Sequence, residues 1–300
     1  MNRVVIFGFA LFAVCCLQTP NSIALQNTNP KMSPQEFNGN SIPFTAEDWN
    51  DLGVSKHEQG DYAGAKEAYE KSLELDSNIS ETYYNFGLLW KDLEKFDQAI
   101  EAWRSTIRIK PDNVNAMNNI GNVLFLQNKF KEADAIWQKA LKIDPNHAEI
   151  LGNLGILRSQ DRNYQEAIKF LQKSLKSQAS NPNVASILGL SYLRTNRLDE
   201  ALKAFDKAIE IQPNFTKALC LKGMALYISN RFDEAISVLQ SAFASDPKSA
   251  IAGTNLGLAY FAKGEKEKAI ATWESVLKDN PENADVKRFI DTAKEGKFLK

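Results

Sequence analysis

The sequence predicts an all-α solenoid of seven helical hairpins closed by a C-terminal capping helix, and three columns of residues carry that expectation. Gly53, Gly87, Gly121, Gly155, Gly189, Gly223 and Gly257 recur every 34 residues without a gap. Twelve positions after each stands an alanine: Ala65, Ala99, Ala133, Ala167, Ala201, Ala235 and Ala269. Four positions further on is a large side chain: Tyr69, Trp103, Trp137, Leu171, Phe205, Leu239 and Trp273. Self-similarity at a fixed period of this length marks a stacked-repeat architecture, in which each unit buries its apolar face against its neighbours.

Taken from the N-terminus, the first element reads as an export signal. Asn2 and Arg3 give a short positive start, and Val4 to Leu17 is an unbroken apolar stretch of 14 residues. A helix crossing a bilayer needs about 20 apolar residues, and Thr19, Pro20 and Asn21 end this stretch early. Ser22 and Ala24 supply the small side chains of a cleavage site, so residues 1–24 are expected to be removed. Lipidation at Cys15 or Cys16 is the alternative that would tie the chain to a membrane, although Phe12, Ala13 and Val14 fit that pattern poorly. After cleavage only Cys220 remains, so packing alone must hold an exported chain together. Residues 25–45 are rich in Asn, Pro and Ser and read as a flexible linker.

The repeated units follow at 46–79, 80–113, 114–147, 148–181, 182–215, 216–249 and 250–283. Thr45 with Asp48 forms a variant capping box for the first helix. In the second unit Tyr83, Phe86, Gly87 and Trp90 mark one face of a first helix, Glu94 and Lys95 make a polar break, and Phe96, Ala99, Ile100, Trp103 and Ile107 mark a second helix. Proline stops the second helix in five units, at Pro111, Pro145, Pro213, Pro247 and Pro281. Glycine and alanine are small where the two helices cross closely. Lys56 and Lys222 interrupt the apolar columns and are expected to loosen the stack locally. In residues 284–300, Val286, Phe289, Ile290 and Ala293 form an apolar stripe with Asp285, Lys287, Arg288 and Asp291 outside, as a solubilising cap requires.

The third unit carries Met117, Ile120-Gly121, Leu124, Ala133, Trp137, Ala140 and Pro145, and this pattern closely resembles the tetratricopeptide repeat family from Ala46 to Asn283. The resemblance implies a right-handed superhelical solenoid whose first helices line a concave surface and whose role is to bind a protein or an extended peptide. Positions four before, one before and three after each glycine then face the core, and positions six, three and two before and one after face the groove. Two before the glycine stand Asp51, Asn85, Asn119, Asn153, Ile187, Leu221 and Asn255. The asparagines resemble the ladder by which members of the family grip a peptide main chain, since a carboxamide both donates and accepts. Asn118 and Asn122 thicken that polar strip, with Tyr84 and Cys220 on the same face. Ile187, Leu190, Leu221 and Met224 make an apolar patch in the fifth and sixth units, unless helix packing buries them. The column three before the glycine contains no lysine, which argues against a clamp for chaperone C-terminal carboxylates.

Composition excludes other classes. Basic and acidic residues number 36 and 37, with no long run of one sign, so nucleic acid is not an expected partner. His57 and His147 have no metal-ligand spacing around them, and no phosphate loop, dinucleotide fingerprint or serine elbow occurs. The expectation is therefore an exported interaction scaffold without catalytic residues, metal or cofactor. A permanent subunit of a larger complex and an accessory module of an enzyme are the alternatives.

Overall fold

A computed structural model describes residues 44–178 and 180–296. The export signal, its cleavage site, Cys15, Cys16, most of the linker and residues 297–300 lie outside the described residues. Every regular element among the described residues is an α-helix. Seven hairpins are formed by α1 (Ala46–Glu58) and α2 (Tyr62–Leu75), α3 (Ser80–Asp92) and α4 (Phe96–Ile109), α5 (Val114–Leu126) and α6 (Phe130–Ile143), α7 (Ala148–Gln160) and α8 (Tyr164–Ser177), α9 (Pro182–Arg194) and α10 (Leu198–Ile211), α11 (Thr216–Ile228) and α12 (Phe232–Ser245), and α13 (Ala250–Lys263) and α14 (Lys266–Asp279). A last helix, α15 (Ala284–Lys294), follows. The helices fall into two compact units that divide after Pro145, with α1 to α6 in the N-terminal unit and α7 to α15 in the C-terminal unit.

Within each hairpin the repeat glycine meets the large side chain 16 residues later. A Cβ on Gly87 would overlap the Trp103 indole, one on Gly121 the Trp137 indole, and one on Gly189 the Phe205 ring. The seven alanines of the second column are all fully buried, as are the large residues that follow them. Side-chain hydroxyls close the other end of some hairpins. Ser72 donates to the carbonyl of Ala46 at 2.6 Å, and Ser174 donates to that of Ala148 at 2.7 Å.

Helix starts and stops are locally encoded. Thr45 and Asp48 form the reciprocal capping box, and Asn113, Asn181, Ser249 and Asn283 each accept a backbone N–H in the first turn of their helix. Each first helix ends with a left-handed residue seven places after the glycine: Gly60, Glu94, Asn128, Arg162, Asn196, Asn230 and Gly264. The backbone then doubles back, so that Lys95 N–H reaches the carbonyl of Trp90 and Asn163 N–H that of Arg158, both at 2.8 Å. Arg162 is exposed and sits at φ 60°. A left-handed conformation costs an L-residue roughly 1–2 kcal/mol, which glycine's larger unfolded-state entropy offsets by about 0.5–1 kcal/mol. Arg162→Gly is therefore expected to raise stability by about 0.5–1 kcal/mol in urea denaturation, and Asn196→Gly to raise it less, because asparagine tolerates this region.

The two interrupting lysines do not loosen the stack as the sequence suggested. Lys56 pairs with Asp61 at 3.1 Å, and Lys222 pairs with Asp206 at 2.6 Å. Around Lys222, the neighbouring Leu221, Ala225 and Leu226 remain in the continuous apolar core of the C-terminal unit. A long aliphatic stem lets the ammonium leave the core while the helix stays in place.

Candidate functional site

The exposed face of the first helices is where the sequence places binding, and its construction differs between the two units. In the N-terminal unit the amides are built into the fold. Asn85 Nδ2 donates to Asn50 Oδ1 of the preceding hairpin at 3.0 Å, and Asn119 Nδ2 donates to Tyr84 Oη at 3.3 Å. Asn50 in turn donates to Asp51 Oδ1 at 3.3 Å. Asn85 and Asn119 each thus commit one N–H to joining consecutive first helices, and the second N–H and the carbonyl of each remain for another partner.

Asn118 was expected to line an open polar strip; it is only 3% exposed and lies within the stack. Asn122, Asn119, Asn85 and Tyr84 are half-buried at the face, beside Val54 and Leu88. The rim is acidic, with Glu47, Asp51, Glu58, Glu81 and Asp92 exposed on α1 and α3. His57 Nε2 lies 3.0 Å from Asp92 Oδ2 and ties α1 to α3. That hydrogen bond, aided by the nearby Lys91, holds the Asp92 carboxyl below its usual value.

In the C-terminal unit the same face is mostly apolar. Ile156, Leu190, Met224 and Leu258, one place after each glycine, form a half-buried column. The expected apolar patch is corrected in part, because Ile187 and Leu221 are buried in the core and only Leu190 and Met224 reach the face. Asn85 and Asn119, two before the glycine in the N-terminal unit, reach the preceding first helix, and Ile187 and Leu221 in the same column complete the core packing of the C-terminal unit instead of lining a surface. Asn153 is half-buried. Asn255 is 6% exposed and its Nδ2 has no hydrogen-bond partner, unlike Asn85 and Asn119. The residue that would accept from it by the pattern of the N-terminal unit is Cys220, a buried thiol whose pKa is pushed up to about 12 by desolvation. Lys217 Nζ donates to Asn183 Oδ1 at 2.8 Å and joins α9 to α11.

Several structural roles were not legible in the sequence. Asn50 and Tyr84 serve as acceptors for the next hairpin's amide, and their signal was a polar residue three before the glycine facing an asparagine 35 residues on. His147 caps α7 through Nδ1 at 3.4 Å. Among the described residues no group of three or more His, Cys, Asp and Glu could hold a metal ion, and no helix is long and apolar enough to cross a membrane. The face can donate and accept main-chain hydrogen bonds and cover apolar side chains.

Comparison with known proteins agrees with the repeat pattern. Models described as tetratricopeptide repeat match residues 46–79, 112–180 and 226–290, one described as TPR repeat matches 87–127, and one for anaphase-promoting complex subunit 3 matches 160–242. Photosystem I assembly protein Ycf3 of Synechococcus sp. is 33% identical over 72 residues, which is 23% of this chain and 42% of that protein. The chain thus spans less than half the length of that relative. YrrB, described as a TPR protein with an unusual peptide-binding site, superposes with a TM-score of 0.56 at 26% identity, covering 64% of this chain and 99% of that one. The C-terminal part of a repeat protein from Cytophaga hutchinsonii gives 0.61 at 18% identity over 79% of this chain and 98% of its own, a likeness of fold alone.

Proposed function

The chain belongs to the tetratricopeptide repeat family, and from that premise we propose that it is an exported, non-catalytic scaffold that holds an extended protein segment on its first-helix faces during assembly of a larger complex. The observation that carries this reading is the pairing of polar and apolar columns. In the N-terminal unit Asn85 and Asn119 keep amide groups for a main chain and Leu88 is half-buried on the same helix as Asn85, and in the C-terminal unit Leu190 and Met224 offer half-buried apolar surface. An extended partner satisfies both columns at once, since its backbone needs hydrogen bonds and alternate side chains need cover. The family's role in protein interaction and the partial likeness to an assembly protein support the reading. Export rests on residues 1–24.

A photo-crosslinking amino acid placed at Leu88, at Leu190 and, as a control on a second helix, at Glu101 tests the choice of face. The expected result is one partner captured from positions 88 and 190 and absent from position 101. Capture from Glu101 alone would move the interface to the second helices and favour a permanent structural subunit. Substituting the ladder asparagines is a poorer first test, because Asn85 and Asn119 also join hairpins and their loss weakens the fold itself.

A further inference from the structure

Six of the seven units place an apolar residue immediately before the repeat glycine: Leu52, Phe86, Ile120, Leu154, Leu188 and Leu256. The sixth unit places Lys222 there. In the C-terminal unit this residue and Leu226 form the floor of a cavity of about 480 Å³ between the second helices α10 and α12, with Leu202 as an apolar wall. The N-terminal unit has a cavity of about 420 Å³ at the equivalent place, between α4 and α6, floored by Ile120 and Leu124. The fold therefore provides the cavity in both units, and its chemistry changes where Ile120 and Arg104 of the one are replaced by Lys222 and Asp206 of the other. An ion pair this open to solvent stabilises less than a buried leucine at the same position would, so stability alone gives no reason for the lysine.

We propose that the cavity between α10 and α12 is a second binding site, taking a carboxylate carried on an apolar stem, with Lys222 as the anchoring cation. Charges of both signs surround the cavity, and their depth decides which sign a ligand brings. The Lys222 side chain is 24% exposed, whereas that of its partner Asp206 is 58% exposed. Asp206 can turn out into water at little cost, leaving the ammonium to an incoming carboxylate. A cationic ligand would have to displace Lys222, whose stem rises from the cavity floor and cannot leave. Lys203 at the rim has no ion pair among the described residues and adds a second cation. Arg231 and Glu234 satisfy each other through two hydrogen bonds of 2.7 Å and stay out of the exchange, and Asp199 completes the acidic part of the rim. Leu202 in the wall meets the stem, and Leu226 closes the floor beneath it. This site uses the second-helix side and does not depend on the first-helix reading above.

Titration calorimetry on the intact chain with sodium hexanoate, N-acetyl-leucine and N-acetyl-leucinamide tests the proposal. The expected result is saturable binding of a carboxylate and none of the amide. Lys222→Leu, which installs the residue type of the other units and so folds, is expected to weaken binding at least about tenfold while raising the melting temperature. Asp206→Asn removes the competing carboxylate and is expected to tighten binding about threefold. Saturation by hexanoate alone would support the site with a free aliphatic acid as ligand, and saturation by N-acetyl-leucine as well would support a chain terminus. Equal binding of the amide, unchanged binding by Lys222→Leu, or no saturation by either carboxylate would overturn it.

Discussion

Gly121→Val is expected to destabilise the N-terminal unit by about 4 kcal/mol or more, among the largest effects of any single substitution in that unit. A Cβ at Gly121 would overlap Nε1 and the adjoining carbons of Trp137, a side chain that is 1% exposed. The indole has nowhere to go. It is flanked by the fully buried Ala133 and Ala140 and by Phe125, whose ring centroid is 5.9 Å away. Relief therefore requires α5 and α6 to move apart. Overpacking in a core that can adjust costs about 1–3 kcal/mol; here the added atoms enter a helix crossing, and valine brings two methyl groups beyond the Cβ. Helix propensity opposes the loss, because glycine in a helix interior is about 1 kcal/mol worse than alanine. Gly121→Ala thus separates the two effects. With the clash dominant it is expected to cost about 2 kcal/mol net, whereas a neutral or stabilising result would mean that the crossing gives way. Urea denaturation followed by tryptophan fluorescence and circular dichroism reads both variants. A second substitution, Trp137→Ala, is expected to lose most of its own cost in the Gly121→Val background, since the two side chains compete for the same space.

That close contact was legible because glycine, alanine and the large residue keep a fixed spacing over seven units. The face assignment was less complete, because a two-sided reading of the first helix omits its third packed side. Thr82, Ala116, Ile150, Val184, Ala218 and Ala252, five before their glycines, are all buried. So are Leu89, Val123, Leu157, Ser191, Ala225 and Ala259, two after. These columns stand seven residues apart, nearly two helical turns, and so share one face. Within each unit the first of them meets the preceding hairpin. Thr82 Oγ1 lies 2.8 Å from Ser72 Oγ, and Ala218 clusters with Ala208. The signal was a column of small and branched residues where a solvated face would carry charge.

The same third side explains the misplaced site residues. A side chain two or three before the glycine stands at the edge between this packed side and the open face, so its size and chemistry decide where it ends. Ile187 and Leu221 turn inward and join the core, Asn118 is drawn in, and Asn85 and Asn119 remain at the edge, each held by the hairpin before. Position alone did not separate these outcomes, because they depend on which partner the preceding hairpin supplies. The turn residues were opaque for another reason. Gly60 and Gly264 advertise a left-handed backbone, whereas Glu94 and Arg162 adopt it only because the hairpin closure demands it.

At the other end of the chain, Val286→Asp is expected to detach α15 at a cost of about 3–5 kcal/mol, the range for a buried charge left without a partner. Val286 is fully buried, with Ile290 and Ala293 beside it on the inner face of the helix. The Phe289 ring stands 5.6 Å from that of Trp273, the large residue of the last hairpin. A helix of 11 residues has little stability by itself, so once its inner face cannot dock the whole element is lost. Hydrogen exchange should then show α15 unprotected while α7 to α12 keep their protection, because in a stacked array each element leans chiefly on its neighbours. Undocking also uncovers the apolar surface of α13 and α14 that α15 conceals, which predicts association that rises with protein concentration in sedimentation velocity. Lys287→Ala, on the exposed side of the same helix, removes only a weak contact with Glu282 at 3.9 Å and is expected to change stability by less than about 0.5 kcal/mol. A variant Val286→Asp that kept α15 protected and associated no more than the parent chain would mean that the last hairpin is self-sufficient, and the stripe of Val286, Ile290 and Ala293 would then need another explanation than capping.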